Sequence, residues 1–198
     1  MPFRVALTFD AEHPDRPHRE GATSRVLETL AAADVPATFF VQGRWAQSDP
    51  GLARAIPAGG HLVGNHSFYH ARMPLLTNAA LTADIRAAER AIERATGVDP
   101  RPWFRCPFGA GAGDPRVLGA LERLGYREVG WDVEGVDWAI RASGRAVARG
   151  MIERTMAHGD GAILLLHPWT TAADHGLPAL IDGLRSNGAE FVRIDALA

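Results

Sequence analysis

Short apolar runs alternate along this chain with longer segments whose apolar residues recur every three or four positions. The runs predict strands over 4–10, 37–42, 61–65, 103–105, 127–131, 162–167 and 190–194. Runs such as Thr38-Phe39-Phe40-Val41 and Ile163-Leu164-Leu165-Leu166 are continuous rather than alternating, the pattern of parallel strands covered on both faces. Between them, Leu81, Ile85, Ala88 and Ile92 mark one helix face. Val117, Leu118, Leu121 and Leu124 mark another, behind an Asp114-Pro115 helix start. Further helices are predicted over 144–156 and 177–186. Seven strands alternating with helices, with no repeat, low-complexity tract or linker, predict one α/β domain over 1–198 with a parallel sheet.

The polar residues sharpen that picture by where they stand. Asp10 closes the first predicted strand, His66 and His70 follow the third, and Arg105 closes the fourth. Trp131 closes the fifth, Asp137-Trp138 lie in its loop, and His167 closes the sixth. In a closed parallel barrel the C-terminal strand ends share one face, where catalytic sites are built. Three of eight histidines on that rim is a concentration that random placement does not favour.

Composition removes several function classes. Net charge is −2, so there is no basic surplus to neutralise nucleic-acid phosphates or an anionic membrane. No run reaches the roughly 18 apolar residues of a membrane span. Cys106 is the single cysteine, so no intrachain disulfide forms. The first residues lack a basic segment followed by a long apolar one, and the expectation is a cytoplasmic protein. The glycine-rich stretch 109–113 has neither the P-loop nor the Rossmann spacing and reads as a flexible loop at a pocket rim.

The rim residues have the chemistry of a metal-assisted hydrolase. His66 and His70 are four apart, which on a helical turn places both imidazoles on one metal ion. Asp10 and Glu12 alternate, so continued extension points both carboxylates the same way. One could bind the metal while the other takes a proton from water. Arg105 is placed to pair with Asp10, and His167 to act as a general acid. Cys106 reads as a small buried thiol rather than a nucleophile.

In that order, Thr8-Phe9-Asp10, Ala37-Thr38-Phe39-Phe40-Val41, Gly64-Asn65-His66-Ser67-Phe68-Tyr69-His70, Arg105-Cys106-Pro107-Phe108-Gly109, the segment from Trp131 to Trp138, and Leu165-Leu166-His167 resemble the motifs of the polysaccharide deacetylase family. This is the NodB-like domain of carbohydrate esterase family 4, and the resemblance runs along essentially the whole chain. It implies a distorted (β/α)7 barrel with the site at the C-terminal strand ends. It implies Asp10 as general base, oriented by Arg105, and His167 as general acid, tuned by Asp137. His66 and His70 would bind one divalent metal, zinc or its neighbours cobalt and nickel. Trp138 and Leu165 would wall the acetyl pocket, the Phe108 N–H would help hold the oxyanion, and Tyr69 and Trp131 join the substrate-binding set.

One position departs from the family pattern. Where the second aspartate of the usual first motif binds the metal, this chain has Ala11. Members with Asp-x-Asp or Asp-x-Glu spacing make Glu12 the third ligand, with Asp15 and His13 as alternatives. The implied activity is removal of acetyl groups from an acetylated carbohydrate, an N-acetylglucosamine-type polymer or oligomer first. A metal-dependent amidase of a small molecule, or a sugar-binding module that has lost catalysis, are the competing readings. The oligomeric state is not encoded in these patterns.

Overall fold

Strand β1 (Phe3–Ala11) is the spine of the sheet, and every residue from Val5 to Ala11 is buried. The computed structural model describes residues 3–12, 20–139 and 141–197. After β1 come α1 (Ala22–Ala32), β2 (Thr38–Val41), α2 (Gly43–Ser48), α3 (Pro50–Ala58), β3 (Leu62–Asn65) and α4 (Asn78–Thr96). Then follow β4 (Trp103–Phe104), α5 (Pro115–Arg123), β5 (Arg127–Glu128), β6 (Val133–Glu134), α6 (Gly144–His158), β7 (Ala162–Leu166), α7 (Thr171–Ser186) and β8 (Ala189–Phe191).

All pairings are parallel and run β5-β4-β3-β2-β1-β7-β6, with β8 joining the start of β1. Among the described residues no pairing joins β5 to β6, so the curled sheet is a distorted barrel open on one side. Apolar side chains of β1, β2 and β7 pack against α1, α4 and α7 in the largest core cluster.

The helices obey their caps. Thr77 accepts from the Ala80 N–H and starts α4, which Gly97 ends at φ 79°. Asp114 accepts from the N–H groups of Arg116 and Val117, with Pro115 as the first residue of α5.

Several expected bounds move. The sheet has eight strands rather than seven, the extra one being the two-residue β6, too short to carry a periodic signal. The fifth predicted strand shrinks to Arg127–Glu128, so Trp131 lies in the loop before β6 instead of ending a strand. The last strand covers Ala189–Phe191, and α7 begins at Thr171 behind a Thr170 cap. Leu118 is exposed, and the buried stripe of α5 is Val117, Ala120 and Leu121.

Candidate active site

Four of the site residues stand one step beyond the last residue of a strand. Glu12 follows β1, His66 follows β3, Arg105 follows β4 and His167 follows β7. Their backbones are still held by a neighbour: the His66 N–H donates to Val41 O at 3.0 Å, and the Arg105 N–H to Asn65 O at 3.0 Å. The sheet thus fixes where each side chain begins, and a parallel sheet puts all four at the same edge.

Extension does carry past Asp10, and both carboxylates reach the same imidazole. Asp10 Oδ2 lies 3.4 Å and Glu12 Oε2 3.2 Å from His66 Nε2. His70 Nε2 is in direct contact with Glu12 Oε2. The ligand atoms of Glu12, His66 and His70 all lie within 4.8 Å of one another. His66 Nδ1 is 2.9 Å from the Arg105 carbonyl, to which it donates, leaving the Nε2 lone pair for a cation. Burial pulls the His66 pKa down, but Asp10 and Glu12 outweigh it and the net shift is upward. Surroundings that favour positive charge on this imidazole are the surroundings a metal cation needs. Two buried imidazoles and a carboxylate therefore fit a divalent metal. Asp15 and His13 lie outside the described residues.

The histidine pair departs from the expected helical turn. Residues 66–70 form a loop with Ser67 at φ 67° and His70 at φ 57°. Asp84, buried on α4, holds this loop: its carboxylate accepts from Ser67 Oγ at 2.6 Å and from the N–H groups of Phe68 and Tyr69 at 3.0 and 3.1 Å. Ser67 Oγ in turn accepts from the His70 N–H at 3.2 Å. Asp84 was not anticipated. Its signal was a lone acid three residues after Leu81, on the buried face of α4.

Arg105 is fully buried. It donates to Asp10 Oδ1 at 2.9 Å, Thr8 Oγ1 at 2.8 Å, and the carbonyls of Val129 and Gly130 at 3.0 and 2.8 Å. The guanidinium lies 4.0 Å from the Phe40 ring centroid. Asp10 is thereby fixed in orientation by a guanidinium that is itself held on four sides. Cys106 beside it is buried, and burial pushes its thiol up to about 12, which leaves no thiolate at neutral pH.

On the other flank, His167 Nδ1 is 3.0 Å from Asp137 Oδ1, and the His167 N–H donates to Asp137 Oδ2 at 2.9 Å. Thr170 Oγ1 donates to the same carboxylate at 2.6 Å while capping α7. Burial lowers the His167 pKa, yet Asp137 more than reverses it and the imidazole rises to about 9. At neutral pH it is protonated, with Nε2 toward the cleft and 3.9 Å from Glu12 Oε1.

A cleft of about 410 Å³ opens over these groups. Of the residues singled out in the sequence, Asp10, Glu12, His70, Phe108, Trp131, Trp138, Leu165 and His167 line it, joined by Trp169 and by the unanticipated Arg72 and Glu134. Tyr69 does not line it: it is 66% exposed and stacks edge-on against Phe68. Stretch 109–113 is tighter than a free loop, since Gly111 sits at φ 120° where a Cβ would meet Val117, Cys106 and Met73.

Comparison with known proteins gives a consistent answer. A family model described as polysaccharide deacetylase matches residues 2–129. The peptidoglycan-N-acetylmuramic acid deacetylase PdaA of Bacillus subtilis is 33% identical over 98% of this chain and 70% of its own length. The peptidoglycan-N-acetylglucosamine deacetylase PgdA of Listeria monocytogenes is 34% identical over 98% of this chain, which spans only 38% of it. Among solved structures, BA3943, a CE4 family pseudoenzyme from Bacillus anthracis, superposes with TM-score 0.88 at 28% identity, covering 99% of this chain and 65% of that one. A mutant of BA3943 with restored enzymatic activity superposes equally well.

Proposed function

The chain belongs to the polysaccharide deacetylase family, and on that footing we propose that it is a metal-dependent hydrolase that removes acetyl groups from an acetylated amino-sugar glycan. The observation that carries the reading is the convergence of Asp10, His167 and the Glu12–His66–His70 cluster on one cleft. The pseudoenzyme likeness favours a second reading, a fold that binds sugar without turnover. Against it, the base, the acid, the arginine and three ligand side chains are all filled here.

Glu12, His66 and His70 would hold the metal, and two imidazoles with one carboxylate suit zinc, with cobalt and nickel as alternatives. A cation bound there supplies Lewis acidity at the acetyl carbonyl and makes a water acidic enough to ionise near neutral pH. Asp10, aimed by Arg105, takes the proton of the attacking water as its oxygen adds to the acetyl carbon. The Phe108 N–H donates to the developing oxyanion. His167 gives its Nε2 proton to the departing nitrogen as the C–N bond breaks, yielding acetate and a free amine. Leu165 and Trp138 close the space around the acetyl methyl.

Acetate release from N-acetylglucosamine oligomers by metal-stripped protein, with and without added zinc, tests this. Release with zinc alone is the expected result. Zinc binding without release from any acetylated glycan would transfer the weight to the binding reading.

A further inference from the structure

The cleft carries two charges for which the proposed chemistry has no use, Arg72 and Glu134. They come from opposite sides of the sheet path. Arg72 follows the histidine loop after β3, whereas Glu134 ends β6 beyond β7. Glu134 is engaged, since its Oε1 accepts from Trp138 Nε1 at 3.0 Å. Arg72 is not: among the described residues no carboxylate lies within ion-pair distance of it, and its guanidinium carbon sits 4.5 Å from the Phe108 ring centroid. That ring in turn stands edge-on to His70, centroids 4.4 Å apart.

The base of Arg72 is firm even though its head is exposed. Its carbonyl accepts from the Leu75 N–H at 3.0 Å, and Met73 next to it is fully buried. The guanidinium carbon lies over the Phe108 ring at the wall of the cleft, where its N–H donors can meet a bound anion. A planar fork of donors, one aromatic ring away from a metal ligand, is built for a carboxylate.

We propose that Arg72 is a specificity residue that binds a carboxylate carried by the glycan on or beside its acetylated sugar, so that the preferred substrate is an anionic acetamido glycan rather than a neutral one. This rests on the deacetylase reading. Two glycan chemistries supply such a group. A muramic-type lactyl ether places it on the carbon beside the acetamido carbon of the same sugar. A uronate places it on the neighbouring sugar. Glu134 on the far wall disfavours a second anion there, which gives the cleft a direction.

The test compares an N-acetylmuramic-acid disaccharide, and an oligomer of N-acetylglucosamine alternating with glucuronate, each against its own methyl ester. Binding is read by calorimetry and acetate release is read separately, for wild type, Arg72→Gln, Arg72→Lys and the remote control Arg123→Gln. The wild type is expected to favour one acid over its ester by about tenfold, the low end for a hydrogen bond to a charged group. Arg72→Gln brings that ratio close to one, Arg72→Lys keeps part of it, and Arg123→Gln keeps all of it. Which acid shows the preference assigns the carboxylate to the lactyl or the uronate position. Equal treatment of acid and ester by wild type, or a preference that survives Arg72→Gln, overturns the proposal. Carboxylate-selective binding without acetate release would uphold Arg72 and sink the deacetylase reading. Release without selectivity would do the reverse.

Discussion

On the proposed reading, Glu12 serves as the third metal ligand where Ala11 offers none. The alternation of a strand makes this possible, because a residue two beyond Asp10 returns to the same face. Glu12→Ala should lower zinc affinity by at least about tenfold, read by metal analysis after dialysis, because it removes one of three protein ligands. Asp10→Asn and His167→Ala should keep zinc near stoichiometric while lowering kcat by about 10²-fold or more, the scale of lost acid–base catalysis. His167, the proposed acid, also sets a pH limit. Its pKa stands at about 9, above the ordinary 6.5, so the proton to be donated is present at neutral pH and lost as pH rises through about 9. Asp137→Asn removes the largest interactions that raise it, leaving only the smaller pull of Asp10 and Glu12 against the burial that lowers it. The alkaline limb of kcat should then move down by about one pH unit or more, read from a pH–rate profile. If the limb stays in place, His167 is not the titrating acid. At this scale the sequence was informative: Asp10 lies at the end of an apolar strand, and His66, His70, Arg105, Asp137 and His167 follow one or lie in the loop just beyond. Arg72, Asp84 and Glu134 were not legible, since an exposed arginine, a helical aspartate and a glutamate in a two-residue strand look ordinary until the fold places them.

Among the elements, α4 matters most to the site although it contributes no ligand. Its Asp84 ties down the loop that carries both histidines, including two residues at positive φ. Asp84→Ala leaves one hydroxyl and two N–H groups without their acceptor. Zinc affinity should fall about 10- to 100-fold, the usual loss when a group that orients ligands is removed. Zinc titration checks it, and unchanged affinity would make the clamp incidental. Gly43, at the start of α2, lets that helix press against α4, and a Cβ there would come 2.9 Å from Ala88 Cα. Backbone cannot step aside as a side chain can, so Gly43→Ala should destabilise by about 1–3 kcal/mol in a denaturant titration. The strands were legible as apolar runs and α4 as a stripe. The two-residue β6 lies below any periodic signal, and the histidine loop was misjudged because i, i+4 spacing is helical only when the intervening φ angles are negative.

Across the whole molecule, the site is an edge effect of a parallel sheet. The proposed ligands, from the end of β1 and the loop after β3, come together only in the folded chain, so metal binding there would be linked to folding. Zinc at 100 times its dissociation constant should stabilise the fold by about 2.7 kcal/mol. For a domain of this size that raises Tm by roughly 5–10 °C. The parallel α/β class followed from alternating elements and the distorted barrel from the family resemblance, whereas its open side followed only from the pairing of the strand edges.

The zinc dependence of acetate release, measured side by side for wild type and Glu12→Ala on N-acetylglucosamine oligomers, tests the account most directly. Wild type should reach full rate near one zinc per chain, while Glu12→Ala should need zinc in large excess or stay inactive. Zinc-saturated wild type that releases no acetate, or Glu12→Ala that saturates at the same zinc level as wild type, would contradict it.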